Sequence, residues 1–141
     1  MAALIVLTFA GAIPAAEAAP VDLEGIWTAS RAEREGERAD ELVGHRLAFS
    51  GDRFRIDSPD GKALYAGTFE INPSSEPARI DFEHSRGVLD GRVVWKGIYQ
   101  LNRETLTIFD NAADLEKGRP TAFEAKARSG SVLLTFRRAM P

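Results

Sequence analysis

Between about residue 25 and residue 137, apolar and polar side chains alternate with a period of two, in short runs separated by turn residues. Arg53-Phe54-Arg55-Ile56-Asp57 is the clearest run, with Phe54 and Ile56 on one face and charged groups on the other. That alternation predicts a half-buried strand. Gly25–Ala29, Leu47 with Phe49, and Ile80 with Phe82 repeat it. Lys62–Asn72 carries Leu64, Gly67, Phe69 and Ile71, and a glycine inside such a run predicts a bulge or bend at Gly67. Arg92–Leu101 is the longest strand, with Val93, Trp95, Tyr99 and Leu101 on one face. Thr105–Phe109 and Ser131–Arg137 complete the set, the last with Val132, Leu134 and Phe136 aligned.

The breaks carry turn chemistry. Gly51-Asp52 sits between two strands, and glycine supplies the positive φ of a two-residue hairpin turn. Pro59-Asp60-Gly61, Gly87–Gly91 and Asn102-Arg103 mark further turns, and Pro73 and Pro77 bound a loop. Asp40–Gly44 predicts one helical turn with Asp40 as its N-cap. Arg31–Asp40 mixes charges of both signs and reads as a solvated hairpin tip, or as a lid over a barrel mouth. Asp110–Gly130 is irregular; within it Thr121–Ala127 suits a short helical turn or another strand. About eight strands in sequential hairpins predict an all-β fold. The simplest form is an antiparallel up-and-down β-barrel, because closure leaves no exposed sheet edge.

The N-terminus follows another pattern. Residues 2–16 are uncharged and mostly apolar, Pro14 ends the run, and Ala16-Glu17-Ala18 has the small-x-small form of a signal-peptidase site. The run is shorter than the ~20 residues of a membrane-spanning helix. The expectation is an export signal over residues 1–18, cleavage near Ala18, and one exported domain over 19–141 with no membrane span. No Lys or Arg precedes Arg31, so only the terminal amine charges the segment's start.

Composition narrows the chemistry. The 141 residues carry a net charge of −3, which gives no electrostatic support to nucleic-acid binding. The absence of cysteine excludes disulfides, thiolate metal sites, a cysteine nucleophile and a lipid anchor on cysteine. His45 and His84 are the only histidines. Nothing in their spacing makes them converge, so both read as surface residues and no metal site is expected. Ser74, Ser75, Ser129 and Ser131 lack a Gly-x-Ser-x-Gly setting. No carboxylate pair is marked out by spacing. No catalytic constellation or cofactor site follows, and the chain is not read as an enzyme.

An ordered set of segments resembles a known family. These are Leu23-Glu-Gly-Ile-Trp27, Gly67-Thr-Phe-Glu-Ile-Asn-Pro73, Pro77-Ala-Arg-Ile-Asp-Phe82, Gly97-Ile-Tyr-Gln-Leu101, Glu104-Thr-Leu-Thr-Ile108, Arg119-Pro-Thr-Ala-Phe123 and Val132-Leu-Leu-Thr-Phe-Arg137. Their order and spacing over residues 22 to 138 resemble a family of small, mostly exported domains named for its abundance in planctomycetes and described as lipocalin-like. Asn102-Arg103-Glu104 replaces that family's Gly-Asp turn, and the cysteine often found near Phe109 is missing. The resemblance implies a lipocalin-like barrel and no assigned activity.

Gly25-Ile-Trp27 is similar to the Gly-x-Trp that opens the first lipocalin strand. By that resemblance Trp27 closes one end of the barrel beneath an arginine, Arg137 or Arg138, in a cation–π contact. The candidate ligand-lining residues are Trp95, Tyr99, Phe69 and Phe54. Two functions follow. One is a barrel binding a small, partly apolar molecule inside; the other is a structural or interaction domain with a filled core, acting through its surface.

Overall fold

A computed structural model describes residues 23–85, 91–124 and 126–139. The expected export signal over residues 1–18 lies outside the described residues. Among the described residues nine strands form in chain order: β1 (Gly25–Arg34), β2 (Glu37–Arg38), β3 (Arg46–Ser50), β4 (Arg53–Asp57), β5 (Ala63–Asn72), β6 (Ala78–Ser85), β7 (Arg92–Asn102), β8 (Thr105–Asp110) and β9 (Val132–Arg138). Each strand from β3 to β8 pairs antiparallel with the next, β1 pairs with β3, and β9 returns to β1. Eight strands therefore close an up-and-down β-barrel. The two-residue β2 only extends β1 as a hairpin above the rim, where Glu33 pairs with Arg38.

The register fixes which side chains point inward. Phe49 pairs with Phe54, Phe69 with Phe82, Phe82 with Trp95, Tyr99 with Ile108, and Ile108 with Leu134. On β1 the inward set changes phase. Trp27 and Ala29 are buried on odd positions, Ala32 on an even one, and the β1–β9 register shifts between Ala29 and Arg31. One extra residue at this bulge turns the strand so that the barrel can close without pointing a charge into its centre.

One end is sealed. Trp27 is wholly buried, its indole N–H donates to the Leu23 carbonyl at 3.0 Å, and the Arg138 guanidinium lies 4.2 Å over its ring. Arg138 also donates to the Glu24 carbonyl at 3.0 Å, while Arg137 is exposed. Above this floor the rings of Phe49, Phe54, Phe69 and Phe82 interlock, with centroids 4.6 Å apart for Phe49–Phe69 and 4.9 Å for Phe54–Phe82. Ile80, Leu106 and Phe136 fill the spaces among them.

Gly67 does not mark a bulge. It pairs in regular register with Phe54 and His84, and the irregularity between β4 and β5 falls at Ile56/Asp57. A Cβ at Gly67 would lie 1.9 Å from the Glu83 carbonyl oxygen. The glycine is there because two backbones approach too closely for any side chain. The 40–44 segment is a single 3-10 turn over Asp40–Leu42 capped by Ala39, with no side-chain cap from Asp40. Arg31–Arg34 belongs to β1, so the hairpin tip is Glu35-Gly36, both at positive φ.

Described residues of the 111–131 connection form neither helix nor strand. The connection folds over the outside of β7 and β8. Phe109 and Ile98 point outward yet are buried, with Phe123 stacked on Phe109 at 6.4 Å. Arg119 fastens this cover, donating to Asp81 at 2.6 Å and to the Gly97 carbonyl at 2.9 Å.

Candidate functional site

The end opposite Trp27 is hollow. A cavity of about 520 Å³ occupies the upper half of the barrel and opens at its rim. Its wall and floor are Leu47, Phe82, Trp95, Ile108, Leu134 and Phe136. Short side chains, Val93 on β7 and Val132 on β9, are among its lining. The floor half instead carries the phenylalanine cluster.

Of the residues expected to line a ligand site, Trp95 lies in the cavity wall. Phe54, Phe69 and Tyr99 do not: they belong to the packed layer below it. Phe54 and Tyr99 are part of the buried core and half-buried Phe69 packs against it.

Two polar groups that the sequence reading assigned elsewhere stand inside the cavity. His84 is not on the surface; it is 5% exposed and lines the hollow. It continues the inward series Ile80, Phe82, His84, and its ring packs edge-on against Trp95 at 4.5 Å and Tyr65 at 5.0 Å. Its Nδ1 lies 3.4 Å from the Ser85 carbonyl, while its Nε2 is buried with no partner. A carbonyl only accepts, so Nδ1 is the donor in that contact, and in the neutral ring Nε2 is then an acceptor.

Asp110 is the second. It continues the inward series Leu106, Ile108, Asp110 and is 4% exposed. Its Oδ1 accepts from the Ala112 N–H at 3.0 Å, and no ion pair reaches it among the described residues. Desolvation pushes its carboxyl up to about 7, against the smaller downward pull of the Ala112 hydrogen bond. Its neighbour Asn111 is fully employed in holding the chain, accepting from the Lys96 N–H at 2.9 Å and donating to the Lys117 carbonyl at 2.7 Å.

The rim is mixed. Leu64, Tyr65 and Leu115 are exposed apolar residues bordering the opening. Arg34 reaches it but is paired with Glu41 at 2.7 Å. Arg46 donates to the Pro59 carbonyl at 3.4 Å, and half-buried His45, also at the cavity, has an unpartnered Nδ1. No three metal-ligating side chains gather among the described residues, and no described helix is long and apolar enough to cross a membrane.

The period-two pattern itself pointed to His84 and Asp110, because each falls in phase with an apolar inner face. Ending the inner face of one strand at Phe82, and the other strand at Phe109, hid them. Comparison of the chain with family models, with curated proteins and with solved structures gave no match.

Proposed function

We propose that the protein is an exported, lipocalin-like binding module that holds a small, partly apolar molecule in the upper half of its barrel. The observation that carries this reading is the hollow itself. About 520 Å³ is within the range of small-molecule sites, and its apolar wall with a few inward polar groups is the usual composition of one. The exposed apolar residues support it too. Of Ile26, Val43, Leu64, Tyr65 and Leu115, the last three border the opening, where they would meet an entering ligand.

Native mass spectrometry of protein purified from its own host tests the reading, together with uptake of an apolar dye such as anilinonaphthalene sulfonate. A bound mass or dye signal in the wild type, lost when Leu134→Trp fills the hollow, is the expected result. A wild type with neither, indistinguishable from the filled variant, refutes it. The export half is tested separately by the mass of the native N-terminus, where an intact Met1 refutes cleavage near Ala18.

A further inference from the structure

With Asp110 ionised and His84 neutral, the two buried polar groups of the hollow are both acceptors. Asp110 has one oxygen engaged by a backbone N–H and no cation partner among the described residues. His84 has its proton directed at the Ser85 carbonyl and a bare Nε2. A ligand that completes both must bring donors, because an acceptor facing an acceptor gains nothing and leaves both desolvated. The aromatic wall acts in the same direction. Trp95, Tyr65 and Phe82 line the cavity, and aromatic faces attract cations.

We infer that the ligand class is an amine-bearing amphiphile: an apolar body seated against Trp95 and Phe82, with a protonated amino group that takes Asp110 as its counter-charge, while any further N–H or O–H of the ligand is drawn to His84. This rests on the binding reading above and specifies it. Capping the turn after β8 does not account for Asp110, since that needs a single acceptor oxygen, which asparagine supplies without burying a charge. The carboxylate adds only a charge, and nothing among the described residues neutralises it.

Other charged or titratable groups near the opening are Arg34, neutralised by Glu41, together with Arg46, His45 and Tyr65. The two arginines would instead favour an anionic head at the rim, and the experiment separates the cases. Octylamine, octanol and octanoate share one apolar tail and differ in the head. Calorimetric titration of the full chain at about pH 8, where Asp110 is mostly ionised, should give affinity for octylamine at least tenfold above octanol and octanoate. Asp110→Asn should remove that preference, bringing octylamine down to the affinity of octanol. Octanoate tightest, or equal affinities for all three, overturns the amine assignment and leaves the binding reading standing. Binding of none of the three refutes both.

Discussion

Asp110→Asn should raise the stability of the protein in a way that depends on pH. The wild-type carboxyl has its folded value pushed from 3.8 up to about 7 by burial. Between those limits the native state holds a proton that the unfolded chain has released. Native stability therefore falls as pH rises from about 4 to about 7 and is level above that. The displacement corresponds to at most about 4 kcal/mol, at about 1.4 kcal/mol per pH unit. Because the carboxyl faces a hollow that admits water, the expected gain from the variant is smaller, about 1–3 kcal/mol at about pH 8. Asparagine retains an oxygen for the Ala112 N–H, so the turn is kept.

Urea denaturation of both proteins, followed by tryptophan fluorescence across this pH range, gives the difference curve directly. Groups not coupled to position 110 cancel in that difference. The curve should lie near zero at about pH 4 and climb through about pH 7 to a plateau. A difference that is flat with pH, or a variant less stable than wild type at about pH 8, would show that Asp110 has a compensating partner and would refute the reasoning.

Three further changes probe the scaffold. Gly67→Ala places a Cβ 1.9 Å from the Glu83 carbonyl oxygen and should cost about 3 kcal/mol or prevent folding. By contrast Gly118→Ala, with nothing within 4 Å, should change denaturation by less than about 0.5 kcal/mol. Arg138→Ala removes the guanidinium over Trp27 and its bond to Glu24, so urea titration should show a loss of about 1–2 kcal/mol, whereas the exposed Arg137→Ala should be near neutral. Arg119→Ala frees the connection from Asp81 and Gly97; hydrogen exchange should quicken between Asn111 and Ser131 and stay unchanged in β4, with about 1 kcal/mol lost overall.

The barrel was legible because one face of nearly every strand is buried, so period two survives into the sequence. Phe54 with Ile56 and Val93 with Trp95 show this directly. What was not legible arises between strands. Whether an inward residue meets the packed floor or the hollow depends on its height in the barrel, which the staggered register sets and a single strand's pattern does not contain. Tyr99 and Trp95 look alike on β7, yet one packs in the core and the other lines the cavity. Gly67 looked like a bulge for the same reason: the Glu83 backbone that forbids a side chain belongs to the neighbouring strand. Phe109 and Ile98, buried on the outward face, reflect a cover that has no periodicity at all.

Three features that cost folding lie at one end of the molecule. A hollow leaves its wall without contacts on one side, and each missing contact forfeits dispersion energy. A carboxylate without a counter-ion and an imidazole nitrogen without a donor each forfeit solvation. Leucine at positions 84 and 110, with a larger side chain at Val132, would remove all three costs within the same backbone. The floor half shows that this chain packs densely where packing is all that is required: Trp27 is wholly buried and hydrogen-bonded, and four phenylalanine rings interlock above it. Stability alone therefore does not explain the upper half. A bound molecule that fills the space, donates to both acceptors and carries the missing positive charge would cancel all three costs at once, and its binding would be strongest where the unliganded protein is most strained.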